Sequence, residues 1–168
     1  MTDDFFMGEA LAYAEKALAA GDFPVGCVIA DGEIIRAVGC RQATSGNDAN
    51  EIDHAEILAL RSLYQTEALA TPEKLTVYCT MEPCLMCFGA ILISGIRRIV
   101  YAYEDVMGGG TQCDLSVLSP LYRKKTVQVV PHVLRGPSLA LFKRFFSRPE
   151  NDYWKDSLLA EYTLSAAQ

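Results

Sequence analysis

A chain of 168 residues, 51% hydrophobic and 21% charged, suits one globular domain with a full core. No apolar run approaches the ~20 residues a membrane helix needs, so no membrane partner is expected. A net charge of −6 argues against a broad nucleic-acid surface, because phosphate binding needs local lysine and arginine. Arg97-Arg98, Arg123-Lys124-Lys125 and Lys143-Arg144-Arg148 are local basic clusters, each also readable as solvated surface. The acidic start Met1-Thr2-Asp3-Asp4 lacks a basic leader region, so a cytoplasmic location is expected. In that reducing setting the six cysteines point to metal or redox chemistry rather than disulfides.

In chain order, Asp3 or Asp4 is expected to cap a helix running to about Ala20, with Met7, Leu11, Ala14 and Leu18 on one face and Gly21 as its stop. Phe23 to Ala30 reads as a buried strand, and Asp31-Gly32 as a two-residue hairpin turn into a strand from Glu33 to Gly39. Arg41 to Glu51 is polar and reads as a loop. A helix is expected from Asp53 or His54 through Leu63, then a strand from Leu75 to Thr80 and a helix from Pro83 or Cys84 to Ser94-Gly95. A strand follows from Arg98 to Tyr103, then a glycine-rich loop from Val106 to Cys113 and a short helix around Leu115 to Leu118. Val127 to Val133 reads as the last strand and Leu139 to Phe146 as a helix. The acidic tail, residues 149–168, is expected to be helical near Tyr153 to Glu161. This alternation predicts an α/β fold with helices on both faces, and the opening hairpin makes the sheet mixed. With no repeats or long linkers, residues 1–168 read as a single domain.

Two segments carry the chemistry: His54-Ala55-Glu56 and Pro83-Cys84-Leu85-Met86-Cys87. Cysteines three apart at a helix start can face one ion, and the helix N-terminus favours their thiolates. His54 would add a nitrogen. Three protein ligands leave the fourth tetrahedral position open, as in catalytic zinc sites, where the metal makes water nucleophilic near neutral pH. Glu56, at the same helix start as His54, suits general acid/base work without being a ligand. A fourth protein ligand such as Cys79 or Cys113 would instead make a closed structural site, and a redox Cys-x-x-Cys would leave His54 and Glu56 without a role.

His-x-Glu followed by Pro-Cys-x-x-Cys is the signature of zinc nucleobase deaminases. The chain resembles the cytidine and deoxycytidylate deaminase superfamily, and within it the bacterial tRNA wobble adenosine deaminases and related purine (guanine) deaminases. The matching stretches are Pro24-Val25-Gly26, His54 to Leu60, Met81 to Ala90, Arg97 to Tyr101 and Phe142 to Phe146. The resemblance implies a three-layer α/β/α, cytidine-deaminase-like fold with a five-stranded sheet, one Zn²⁺ per chain on His54, Cys84 and Cys87, and Glu56 as proton shuttle. It also implies a homodimer, backbone contacts to the base around Ala55 and Cys84, and a pocket lined by Pro24, Val25, Glu82 and Pro83.

Three features depart from the family pattern, one of them the loop Asn47 to Asp53 before His54, which is longer and more acidic than the resemblance implies. Gly39-Cys40 is followed by Arg41, where relatives usually carry an asparagine that hydrogen-bonds the substrate. Arg41 is thus a candidate substrate-binding residue, gripping a phosphate or carboxylate, or else points into solvent. The tail carries Glu150, Asp152, Asp156 and Glu161 against Lys155, where relatives have a basic tail. The function expected is hydrolytic deamination of a purine-type nucleobase, with the wobble adenosine of tRNA as one substrate. The alternatives are a free base or nucleoside (guanine, cytosine or a modified purine) and a non-catalytic zinc-stabilised binding module, against which Glu56 argues. His132 reads as a core or edge histidine, Cys27, Cys40 and Cys79 as small core residues, and Phe145, Phe146, Tyr153 and Trp154 as core or dimer aromatics, with stacking on bases as their alternative role. Gly108-Gly109-Gly110 reads as an adaptable loop over the pocket.

Overall fold

The computed structural model describes residues 1–66 and 71–167; residues 67–70 and 168, which the single-domain reading also spans, lie outside the described residues. The elements run α1 (Asp3–Ala19), β1 (Gly26–Asp31), β2 (Ile34–Cys40), α2 (Ala55–Thr66), β3 (Leu75–Met81), α3 (Leu85–Ser94), β4 (Arg98–Tyr103), α4 (Pro120–Arg123), β5 (Gln128–Val130), α5 (Arg135–Phe146) and α6 (Leu158–Ser165). Short 3₁₀ turns sit at Pro72–Lys74 and Leu115–Val117. The sheet order is β2-β1-β3-β4-β5. β1 is antiparallel to β2 and β3, while β3, β4 and β5 are parallel, so the sheet is mixed as expected.

Strand alternation divides the core. Cys27, Ile29, Val77, Cys79, Ile99 and Tyr101 face one side with Ala55, Ala59, Leu63, Phe88 and Ile91 of α2 and α3. Val28, Ala30, Tyr78, Val100 and Ala102 face the other with Phe6, Met7 and Ala10 of α1. Ser138 of α5 donates to the Thr80 carbonyl of β3 at 2.6 Å. The layers are therefore α/β/α. Packing of α2 on β2 is unusually close: a Cβ at Gly39 would lie 2.2 Å from the Ala55 carbonyl oxygen and 2.8 Å from the Ala59 nitrogen. Only glycine permits that approach, and it fixes the N-terminus of α2 against the sheet.

Several expected boundaries shift, each for a local reason. Thr2, not Asp3 or Asp4, caps α1, its side chain accepting from the Phe5 N–H. Asp3 is engaged elsewhere, binding Arg98 through both oxygens at 2.9 and 2.8 Å and the Tyr78 hydroxyl at 3.0 Å. The hairpin turn is Gly32-Glu33 rather than Asp31-Gly32: Asp31 still pairs with Ile34, and Gly32 takes φ 59°. Helix α3 begins after Cys84, so Pro83 lies outside it. Strand β5 stops at Val130, because Pro131 has no N–H for the ladder and His132 turns to φ 66°. The tail helix starts at Leu158, later than expected. Trp154 and Asp156 have positive φ, and Ser157 then caps α6 by accepting from the Ala160 N–H at 3.2 Å.

Helix α6 is fastened to the sheet through Glu104. This carboxylate accepts from Arg135 Nε at 2.8 Å and from the Tyr162 hydroxyl at 2.6 Å. Burial pushes its pKa up, but the bonds from Arg135 and Tyr162 outweigh that and hold it at about 2. Its folded pKa thus lies below the ordinary 4.5, so its ionised form adds stability above about 4.5 that is lost as pH falls toward about 2. Glu104→Gln is expected to lower the Tm at neutral pH, with the gap to wild type closing on acidification; thermal unfolding at stepped pH measures it, and a gap independent of pH would refute the assignment.

Candidate active site

His54 directly precedes α2, and its carbonyl accepts the Leu58 N–H at 3.0 Å. Glu56 is the second residue of α2. Cys84 is the N-cap of α3, and Cys87 lies in the first turn of that helix. Both helix starts meet at one end of the sheet. His54 Nδ1 stands 3.5 Å from Cys84 Sγ and 3.5 Å from Cys87 Sγ. The three donor atoms lie within 4.8 Å of one another. Zinc–sulfur and zinc–nitrogen bonds of ~2.3 and ~2.0 Å at a tetrahedral angle place sulfur and nitrogen about 3.5 Å apart. The donor set therefore fits zinc in kind and spacing, with Nδ1 as the imidazole donor. Among the described residues, this is the group of three or more potential ligands that could hold a metal ion.

The electrostatics fit the same purpose. The Cys87 thiol, with burial opposing it and His54 assisting, brings Cys84 down to about 4. Cys87 is pushed up, first by its bond to Cys84 and then by burial. The bond to Cys84 raises His54. These groups share protons that a metal cation would displace. Glu56 is only 3% exposed, and burial pushes its carboxyl up to about 7.

A cavity of about 210 Å³ opens on this end of the sheet. Its walls include His54, Ala55, Glu56 and Cys84, together with Val25, Arg41 and Glu82. The expected lining residues Pro24 and Pro83 are buried but are not part of the wall; Pro83 instead accepts the Gly110 N–H at 2.9 Å. Glu82 faces the glycine-rich loop: it accepts from the Thr111 hydroxyl, and from the Asp105 N–H at 3.2 Å. A Cβ at Gly109 would lie 2.7 Å from the Asp105 carbonyl oxygen and 2.5 Å from Glu82 Oε2, and the backbone clash requires glycine where the loop closes on Glu82. Gly108 reaches the cavity, as expected for a loop over the pocket.

Arg41 does not point into solvent. It is 2% exposed, with Nη1 donating to the Gln42 carbonyl at 2.8 Å and the Asp53 carbonyl at 3.2 Å. The tail supplies further wall residues, of which Leu159 carried no signal in the sequence. Tyr153, Trp154 and Leu159 close one side of the cavity. The Tyr153 ring packs on Phe23 at 5.4 Å, and its hydroxyl donates to Glu51 at 3.0 Å. The two tail aromatics are therefore pocket residues, not solely core or dimer contacts. His132 is half-exposed beside Glu104 at 3.5 Å and away from the site.

Residues 1–103 match the model of the cytidine and deoxycytidylate deaminase zinc-binding region. The chain belongs to this family. It is a zinc-dependent hydrolytic deaminase. The chain is 34% identical over 144 residues to the tRNA-specific adenosine deaminase of Streptococcus pyogenes serotype M18, covering 84% of this chain and 88% of that one. Among solved structures it is similar to a tRNA:A34 deaminase that edits A to I at the wobble position of transfer RNA, with TM-score 0.67, 27% identity, and coverage of 82% and 98% of the two chains. The guanine deaminase of Nitrosomonas europaea, at 20% identity and TM-score 0.67 over 84% of this chain and 83% of that one, shares the fold. No helix among the described residues is long and apolar enough to cross a membrane.

Proposed function

We propose that this deaminase removes the exocyclic amine of a purine-type nucleobase, using His54, Cys84 and Cys87 to hold zinc and Glu56 to move protons. The convergence of those three donors beside a buried carboxyl on one cavity carries the reading. Zinc, when bound, supplies a Lewis acid that makes water nucleophilic at neutral pH. Glu56 takes a proton from that water and delivers it to a ring nitrogen. The carbon–oxygen bond forms, and the remaining proton of the added hydroxyl passes through Glu56 to the amine, so the carbon–nitrogen bond breaks and ammonia leaves. Val25, Ala55 and Glu82 line the base pocket, while Pro24 and Pro83 support it from behind. Residues 1–168 act as one domain. The expected homodimer uses the apolar groove between α2 and α3, where Tyr64 and Ile93 are 52% and 61% exposed.

The names of the relatives bring the wobble adenosine of tRNA as the first substrate to test. The tail favours the second reading, a free base. Tyr153 and Trp154 of the acidic tail form part of the cavity wall, so the tail lies beside the site. Two of the basic clusters are also engaged internally: Arg98 binds Asp3, Arg144 binds Glu15, and Arg148 binds the Leu18 carbonyl. Ammonia release by zinc-loaded protein from free purines and nucleosides, set beside release from an anticodon stem-loop, tests both. Turnover is expected with free bases; turnover confined to the stem-loop and weakened by salt would instead assign the tRNA substrate.

A further inference from the structure

The guanidinium of Arg41 has one nitrogen hydrogen-bonded and the other only ion-paired at longer range. Nη1 is held by two backbone carbonyls, of Gln42 and Asp53, so the group is fixed in place. Nη2 is buried and has no hydrogen-bond partner. Its nearest charge is Glu51 Oε2 at 3.6 Å, beyond hydrogen-bond range, and that same oxygen accepts from the Tyr153 hydroxyl. A buried cationic donor without an acceptor is costly, and the native structures that keep one commonly use it. Arg41 also shares the cavity wall with His54, Glu56 and Cys84. The Glu51 side chain is 59% exposed and can swing outward, leaving Nη2 to a ligand.

The wall chemistry says what that ligand presents. With Glu51 swung outward, the carboxyl groups of Glu56, Glu82 and Asp105 still share the cavity wall with the single guanidinium of Arg41. A phosphate or carboxylate would meet like charge there. An uncharged oxygen acceptor would not. The cavity volume of about 210 Å³ falls below the roughly 300–1,000 Å³ typical of larger ligands, which suits a bare heterocycle.

We propose that Arg41 Nη2 is a specificity-determining donor that binds a ring oxo group of the substrate, so that the enzyme selects heterocycles carrying both an amine and an oxo group over oxo-free ones such as adenine. The proposal rests on the deaminase reading above and on its free-base form. A site built to hydrogen-bond a substrate group rejects the analogue lacking it far more strongly than a hydrophobic pocket rejects a change in size.

The test uses zinc-loaded full-length protein and matched pairs differing by one oxo group: isoguanine and adenine, guanine and 2-aminopurine, cytosine and 4-aminopyrimidine. Calorimetric affinity and ammonia release are read for each, with an anticodon stem-loop as a further arm. In the best-bound pair, the oxo member is expected to bind and turn over about 10²-fold better. Arg41→Met is expected to bring that ratio close to one while zinc content is kept, a change that a purely structural clamp on Asp53 would not produce. Where Arg41→Met does not fold, Arg41→Lys carries the same comparison through a smaller fall in the ratio. Equal affinity within every pair for the wild type, an unchanged ratio in the variants, or binding only of the stem-loop would overturn the proposal. Oxo-selective binding with no ammonia from any compound would support Arg41 as the donor and remove the deaminase reading instead.

Discussion

Replacing Glu56 with glutamine is expected to lower turnover by about 10²–10⁴-fold while leaving zinc content unchanged. The size follows from its position. Glu56 is buried on α2 two residues beyond His54, and it shares the cavity with Cys84. An amide at that place keeps the shape and can still hydrogen-bond, but it cannot accept a proton from water and pass it on. Because both water activation and departure of ammonia use the same carboxyl, no neighbouring group takes over; Glu82 is engaged with Thr111 and the Asp105 N–H. Elemental analysis for zinc and an ammonia assay on one preparation measure both quantities. Full activity in Glu56→Gln, or in Glu56→Ala, would end the proton-shuttle assignment.

Cys87→Ala should act differently, removing zinc and turnover together. Its sulfur is 3.5 Å from His54 Nδ1, and the residue is fully buried in the first turn of α3. Without it a zinc ion keeps two protein ligands instead of three. Metal binding to a site that exists only in the folded state is also folding free energy. The Tm of Cys87→Ala should therefore fall to about that of wild type treated with a chelator, and chelator should shift the variant no further. Zinc content and calorimetric unfolding, each with and without chelator, check this. One tightly held zinc per chain in Cys87→Ala would mean that another donor completes the site. The contrast between the two variants separates loss of a proton carrier from loss of the metal.

The metal site was readable in the sequence because it is built from two local patterns. His54 and Glu56 lie within three residues and Cys84 and Cys87 within four, so helix-start geometry alone orients each pair. The sheet was readable for a similar reason: runs such as Arg98 to Tyr103 are apolar, short and bounded by turn residues. Local pattern and structure part where a distant partner claims a side chain. Asp3 has the side chain of a helix cap, but Arg98, 95 positions away, takes its carboxylate. Trp154 and Asp156 at positive φ interrupt a tail whose composition suggests a longer helix.

By itself, then, the sequence determined the order of elements and marked the candidate zinc donors and the candidate proton carrier, since each half of the site, His54 with Glu56 and Cys84 with Cys87, is a pattern a few residues long. The tertiary structure alone decided what surrounds them. It turned Arg41 inward, brought Glu51 beside it, and laid Tyr153 and Trp154 along the cavity. Those neighbours are separated by up to about a hundred residues, and burial, not local propensity, selects among the places such side chains could go. Reaction chemistry is thus written in short motifs, whereas the choice of substrate depends on long-range packing.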